Sequence, residues 1–187
     1  MKVGIYPGSF NPLHIGHMKI VDMSLEKLGL DKVIVVPLNS YWDKSITVSM
    51  EERIKMLKLI ESDKVVVDDN CPDTYACDII NKVNKDYNNP DIYYIIGADS
   101  LESIERWKNI EEVLKYNFVV TTRSGFDVKQ LIKDKGLDES KFTVIDFNMD
   151  VSSTVVRNKI KEGLNVDDLL DSRIYGYIIK NNLYKEN

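Results

Sequence analysis

Six short apolar runs recur along the chain, spaced so that each gap has room for about one helix and its loops: Lys2 to Tyr6, Lys32 to Pro37, Lys64 to Val67, Ile92 to Ile96, Asn117 to Thr122 and Phe142 to Phe147. The run Lys32-Val-Ile-Val-Val-Pro37 is β-branched and unbroken, which marks a strand covered on both faces. The intervening segments carry helical signals. Ile20, Val21, Met23, Leu25 and Leu28 have helical spacing within Met18 to Leu28, and Gly29 offers a stop. Ser49 with Glu52 three residues on resembles a capping box for a helix through about Glu61, and Thr74 can cap another through about Tyr87. Residues 99 to 115 read as two short helices hinged near Trp107, Val128 to Lys135 as a short helix, and the last forty residues as helical. Strands alternating with helices through short loops imply an α/β fold: a doubly wound, mostly parallel sheet with right-handed crossovers and a helical C-terminal segment. With no internal repeat or linker, residues 1–187 read as a single domain.

Composition narrows the partners. A net charge of −5 argues against a broad basic face for nucleic acid, while leaving room for a local pocket for a small anion. No apolar run approaches the roughly 18 residues of a membrane span, and the first residues lack the apolar core of a signal peptide, so a cytoplasmic protein without a membrane partner is expected. Cys71 and Cys77 form neither a CxxC pair nor a zinc spacing, so two free thiols and no protein-held metal are expected.

The most informative connection is the first. Tyr6 to His17 joins the first strand to the first helix and holds two Gly, two Pro, Ser9, Asn11 and both histidines of the protein. A strand-to-helix turn of this composition leaves backbone N–H groups free beside a helix N-terminus, which suits phosphate. In an open α/β sheet ligands bind beyond the carboxyl ends of the strands. The loops Leu38 to Val48, Gly97 to Ser100 and Thr122 to Asp127 also follow strands.

Gly8-Ser-Phe-Asn-Pro-Leu-His-Ile-Gly-His17 resembles the G-(T/S)-F-(D/N)-P-x-H-x-G-H signature of the nucleotidyltransferase superfamily, which has a Rossmann-like fold. Asp150-Val-Ser-Ser-Thr-Val-Val-Arg157 is similar to the I-S-S-T-x-I-R motif of its adenylyltransferase branch. Ile96-Gly-Ala-Asp-Ser-Leu101 through Trp107, Phe118 to Asp127 and Tyr177 to Tyr184 resemble segments of the bacterial nicotinate-nucleotide adenylyltransferase family, so the likeness covers nearly the whole chain.

The resemblance implies transfer of AMP from ATP to nicotinate mononucleotide, giving deamido-NAD and pyrophosphate in NAD biosynthesis. It assigns His14, His17 and Arg157 to catalysis. It assigns Gly8, Ser9, Phe10, His17, Gly97, Asp99, Ser152, Ser153, Thr154 and Arg157 to ATP, and Asn39, Lys44, Trp107 and Arg123 to the second substrate. Mg²⁺ would be bound through the ATP phosphates. The implied partners are these small molecules, with association into a homo-oligomer left open. The rival readings are an adenylyltransferase acting on nicotinamide mononucleotide or phosphopantetheine, and a non-catalytic dinucleotide-binding sensor.

Two departures bear on the mononucleotide. The family's P-P-H-(K/R) is here Ser40-Tyr-Trp-Asp-Lys44, and its Y-T-x-D-T-L is Tyr75-Ala-Cys-Asp-Ile-Ile80, with both threonines replaced. Asn11 also stands where Asp is commoner.

Overall fold

The computed structural model describes residues 1–39, 48–70, 75–122 and 127–185. Six strands form one sheet: β1 (Lys2–Gly8), β2 (Lys32–Pro37), β3 (Val65–Val67), β4 (Asp91–Gly97), β5 (Asn117–Thr121) and β6 (Phe142–Ile145). Their order is β3-β2-β1-β4-β5-β6 and every pairing is parallel. The expected α/β, Rossmann-like fold is thus observed, with all pairings parallel rather than most of them. The helices are α1 (Ile15–Leu28), α2 (Met50–Lys58), α3 (Ala76–Asp86), α4 (Ala98–Glu102), α5 (Ile110–Val113), α6 (Val128–Asp134), α7 (Ser153–Lys161) and α8 (Ser172–Lys180), with 3-10 turns at Ile104–Arg106 and Glu139–Lys141.

The two-residue period of the strands sorts the core into two layers. On one face Tyr6, Val33, Val35, Ile95, Val119 and Ile145 meet α1, α2, α7 and α8, whose apolar stripes include Ile20, Met56, Leu57, Val156, Ile174 and Ile178. On the other, Ile5, Ile34, Val36, Tyr94, Ile96, Phe118 and Val120 meet Ile79, Ile80, Leu101, Val113 and Ile132 from α3 to α6. Each layer excludes water from one side of a continuous sheet. Polar chemistry is therefore left to the strand ends.

Boundaries differ where local chemistry outweighs pattern. Gly29 does end α1, in the left-handed region at φ 59° that glycine enters without a Cβ penalty. Ser49 caps α2, its Oγ accepting from the Glu52 N–H at 3.2 Å. The reciprocal arm of the box is absent: the Glu52 carboxylate instead accepts from Lys55 at 3.0 Å and from the Tyr177 hydroxyl at 2.8 Å, which ties α2 to α8. That helix stops at Lys58, short of Glu61. Residues 98–113 hold two α-helices and an intervening 3-10 turn rather than two helices alone. The C-terminal part is two helices, α7 and α8, separated by residues 162–171. Cys77 is a buried free thiol, while Cys71 and Thr74 lie outside the described residues.

Candidate active site

Because β1 lies at the centre with β2 and β4 on either side, the crossovers leaving β1 and β4 go opposite ways, and the loops after these two strands open at the switch point. The loop after β1 is shaped by Phe10, whose φ of 44° is left-handed. For a bulky residue this backbone is strained, and tertiary contacts hold it. The Phe10 ring is buried, edge-on to Tyr6 at 5.4 Å and to His17 at 5.1 Å between centroids. Its side chain belongs to the core, and only its backbone is left to serve a ligand.

His14 is the N-cap of α1 and is buried; His17, one turn on, is partly exposed. Their rings stack with centroids 3.7 Å apart and planes 24° from parallel. The His14 backbone N–H donates to His17 Nδ1 at 3.2 Å. Nδ1 is therefore an acceptor, and the proton of the neutral ring sits on Nε2. Burial, and secondarily the neighbouring His14, hold the His17 pKa well below the usual histidine range. The ring is thus a neutral donor at the head of a helix whose dipole favours anions.

At Gly16 the chain makes a close approach to itself. A Cβ there would lie 2.6 Å from Val151 Cγ1 and 3.0 Å from the His14 ring. The glycine lets the first turn of α1 pack against the segment leading into α7.

That packing is reinforced by hydrogen bonds between the two signatures. Ser153 Oγ donates to the Pro12 carbonyl at 2.9 Å, across 141 residues of sequence. Arg157 Nη1 donates to the Asn11 carbonyl at 2.9 Å, and its Nη2 to Thr154 Oγ1 at 3.3 Å. Ser152 Oγ accepts from the Val155 N–H at 3.3 Å, so this hydroxyl serves as the N-cap of α7. Residues assigned from sequence to phosphate thus also build the wall that would hold it.

From the next strand, Gly97 and Asp99 open α4. Asp99 is close enough to Tyr6 that its carboxylate, after burial, helps push the Tyr6 hydroxyl pKa up. This places Asp99 on the same rim as Phe10 and His17. Trp107, half-buried at the end of the 3-10 turn, packs edge-on against Tyr94 at 5.9 Å. Asn39 is exposed just beyond β2, and Lys44, Arg123 and Trp42 lie outside the described residues.

Residues 5–159 match the cytidylyltransferase-like family. The chain is 37% identical over 199 residues to "Probable nicotinate-nucleotide adenylyltransferase" of Clostridium novyi (strain NT), covering 98% of this chain and 99% of that protein. The chain belongs to the nicotinate-nucleotide adenylyltransferase family. A protein of the same name from Borrelia hermsii is 34% identical, over 98% of each chain. Among solved structures, Plasmodium falciparum nicotinic acid mononucleotide adenylyltransferase complexed with NaAD superposes with a TM-score of 0.79 at 22% identity, over 98% of this chain and 97% of that one. That likeness shows the shared fold.

Two residues of this family member escape a reading by motif. Arg53, in α2, is buried and donates through Nη1 to the carbonyls of Ser9 and, at 3.0 Å, Leu38. Its signal was available: Arg53, Met56, Leu57 and Ile60 form one i, i+3, i+4, i+7 stripe, with an arginine in a place an apolar residue would normally take. Tyr184 is buried near the chain end, its hydroxyl on Asn11 Oδ1 at 2.8 Å. The resemblance of its segment, Tyr177 to Tyr184, to the family does not name that partner.

Proposed function

We propose that this chain transfers the AMP moiety of ATP to nicotinate mononucleotide. A phosphate oxygen of the mononucleotide attacks the α-phosphorus, the bond to the bridging oxygen of the β-phosphate breaks, and pyrophosphate leaves as deamido-NAD forms. The observation that carries this reading is the joining of the two signatures: Ser153 on Pro12 and Arg157 on Asn11 bring the α7 N-terminus and its arginine against the loop that bears His14 and His17. The resulting wall offers free helix N–H groups, a guanidinium and a neutral imidazole donor, which suits a triphosphate whose charge must be neutralised as it is cleaved.

In this reading His17 donates through Nε2 to a phosphoryl oxygen as charge builds on it, and His14 orients and backs that ring. Gly8, Ser9 and Phe10 contribute backbone to the phosphates, with Ser152, Ser153 and Thr154 opposite. Gly97 and Asp99 face the ribose. Trp107 stacks on the pyridine, and Asn39, Lys44 and Arg123 contact the mononucleotide. Mg²⁺ enters as part of Mg-ATP. It is a hard cation that can be held mostly by phosphate oxygens and water, and no group of three or more His, Cys, Asp or Glu suited to hold a metal is present among the described residues. No helix among those residues is long and apolar enough to cross a membrane.

Incubation of the protein with ATP, Mg²⁺ and, in separate reactions, nicotinate mononucleotide, nicotinamide mononucleotide or phosphopantetheine, with pyrophosphate and the adenylylated product both measured, tests the proposal. Turnover with nicotinate mononucleotide at the highest kcat/KM supports it. A preference for either other acceptor, or no pyrophosphate with any, overturns it.

A further inference from the structure

Arg53 is a buried guanidinium with no carboxylate partner among the described residues, and its Nε has no hydrogen-bond acceptor there. A charge is costly to bury in this way. What it does engage is specific: one nitrogen, Nη1, bonds the Ser9 carbonyl at the end of β1 and the Leu38 carbonyl at the end of β2. These are the points where the ladder between the two strands runs out, its last step being the Leu38 N–H on the Gly8 carbonyl at 2.8 Å. Both carbonyls would otherwise need another donor.

The geometry of the peptide unit turns this into a statement about the site. In a trans peptide the C=O and the following N–H point in opposite directions. Arg53 holds the Ser9 carbonyl inward, toward α2, so the Phe10 N–H points the other way, and the Leu38 carbonyl similarly orients the Asn39 N–H. The left-handed Phe10 is the residue whose backbone most needs such a restraint. The same guanidinium also puts a positive charge behind the loop with no carboxylate partner among the described residues, a field that favours a bound anion.

We infer that Arg53 is a positioning residue for the triphosphate: it turns the backbone donors of the Gly8-Ser9-Phe10 loop toward ATP and fixes that loop against the segment leaving β2. The inference rests on the ATP-binding part of the proposed function. It also separates two roles that a buried arginine can play. Replacing it by a side chain of similar length without charge removes both a buried charge and two carbonyl contacts, whose effects on stability oppose one another. The loss should therefore show in ATP affinity rather than in folding.

Arg53→Met and Arg53→Lys are compared with the unaltered protein by titration calorimetry, using Mg²⁺ and an ATP analogue with a methylene group between the α- and β-phosphorus, and by thermal unfolding. The Met variant should unfold near the unaltered protein yet bind the analogue at least about tenfold more weakly. The Lys variant, which keeps a donor and a charge, should recover part of that loss. Binding by the Met variant within about twofold of the unaltered protein overturns the inference. So does loss of folding in both variants, since Arg53 would then serve the fold alone. Failure of the unaltered protein itself to bind the analogue would instead overturn the proposed function.

Discussion

The Tyr184 hydroxyl donates to Asn11 Oδ1 at 2.8 Å, so the far end of the chain is tied to the loop after β1 across 173 residues. Both groups are buried, and burial pushes the phenol pKa up, so the bond does not titrate in the neutral range. Tyr184→Phe removes the donor while keeping the ring and leaves a buried amide oxygen unpaired. The expected cost is about 1–2 kcal/mol of stability, read as a lower urea midpoint at constant m-value. An unchanged midpoint would show that the hydroxyl contributes nothing net.

His17 links stability to pH. It stays neutral in the folded protein where an unfolded histidine, with a pKa of about 6.5, takes up a proton. Below that pH the unfolded state binds more protons, so the contribution is complete above about pH 6.5 and is lost as pH falls through it. Unfolding free energies between pH 7.5 and 5.5 should decline more steeply for the unaltered protein than for His17→Asn, and parallel profiles would refute the link. In turnover, His17→Ala should lose about 10²–10³-fold in kcat as one donor to the developing charge is removed. Near-normal pyrophosphate release from a folded variant would remove His17 from the proposed chemistry.

Much of the architecture could be read in advance because burial on both faces imposes a simple pattern. Val33 to Val36 alternate between the two core layers and are all apolar, and Ile92 to Ile96 behave almost the same way. Strand order is less legible, since nothing local to Val65–Val67 or Phe142–Ile145 says which edge each takes. At the site, the motif residues of the first loop and of α7 come together as the resemblance implies. Individual atoms of those residues also serve the fold. Ser152 caps its own helix, and Gly16 makes room for Val151. Arg53 and Tyr184 were missed because they act on backbone or amide groups far away in sequence; Arg53 lies in no motif, and the resemblance of Tyr177 to Tyr184 says nothing of what its last hydroxyl bonds.

The Gly16 contact yields a prediction of coupling. Alanine there ordinarily gains helix propensity over glycine, by about 1 kcal/mol, but its Cβ would stand 2.6 Å from Val151 Cγ1, so something must shift. Gly16→Ala should be destabilising by about 1–3 kcal/mol, in the range of overpacked cores. Val151→Ala removes the obstructing methyl groups. The double variant should then be more stable than Gly16→Ala alone, a coupling measurable by a double-mutant cycle in urea. Additive effects would mean that the two segments do not press on each other in this way.

Asn11 carries the most local of the predictions. Its carbonyl accepts from Arg157 and its Oδ1 from Tyr184, while its buried Nδ2 has no hydrogen-bond partner among the described residues. The Tyr184 hydroxyl beside it feels both Arg53 and Arg157, whose charges pull its pKa down against the larger effect of burial. The amide thus places an unsatisfied donor in a positive field. A carboxylate of the same shape would replace that donor by an acceptor and add the opposite charge. Asn11→Asp should raise stability at pH 7 by about 1 kcal/mol, since a buried donor without an acceptor gives way to an anion that the two guanidinium groups attract. The new carboxyl group should have a pKa below the ordinary value of about 3.9. Its contribution is then complete above that value and lost as pH falls below it, so the melting temperatures of the two proteins should converge in acid. An Asp variant that melts below the unaltered protein at pH 7 would mean that burying the carboxylate costs more than the two guanidinium groups return.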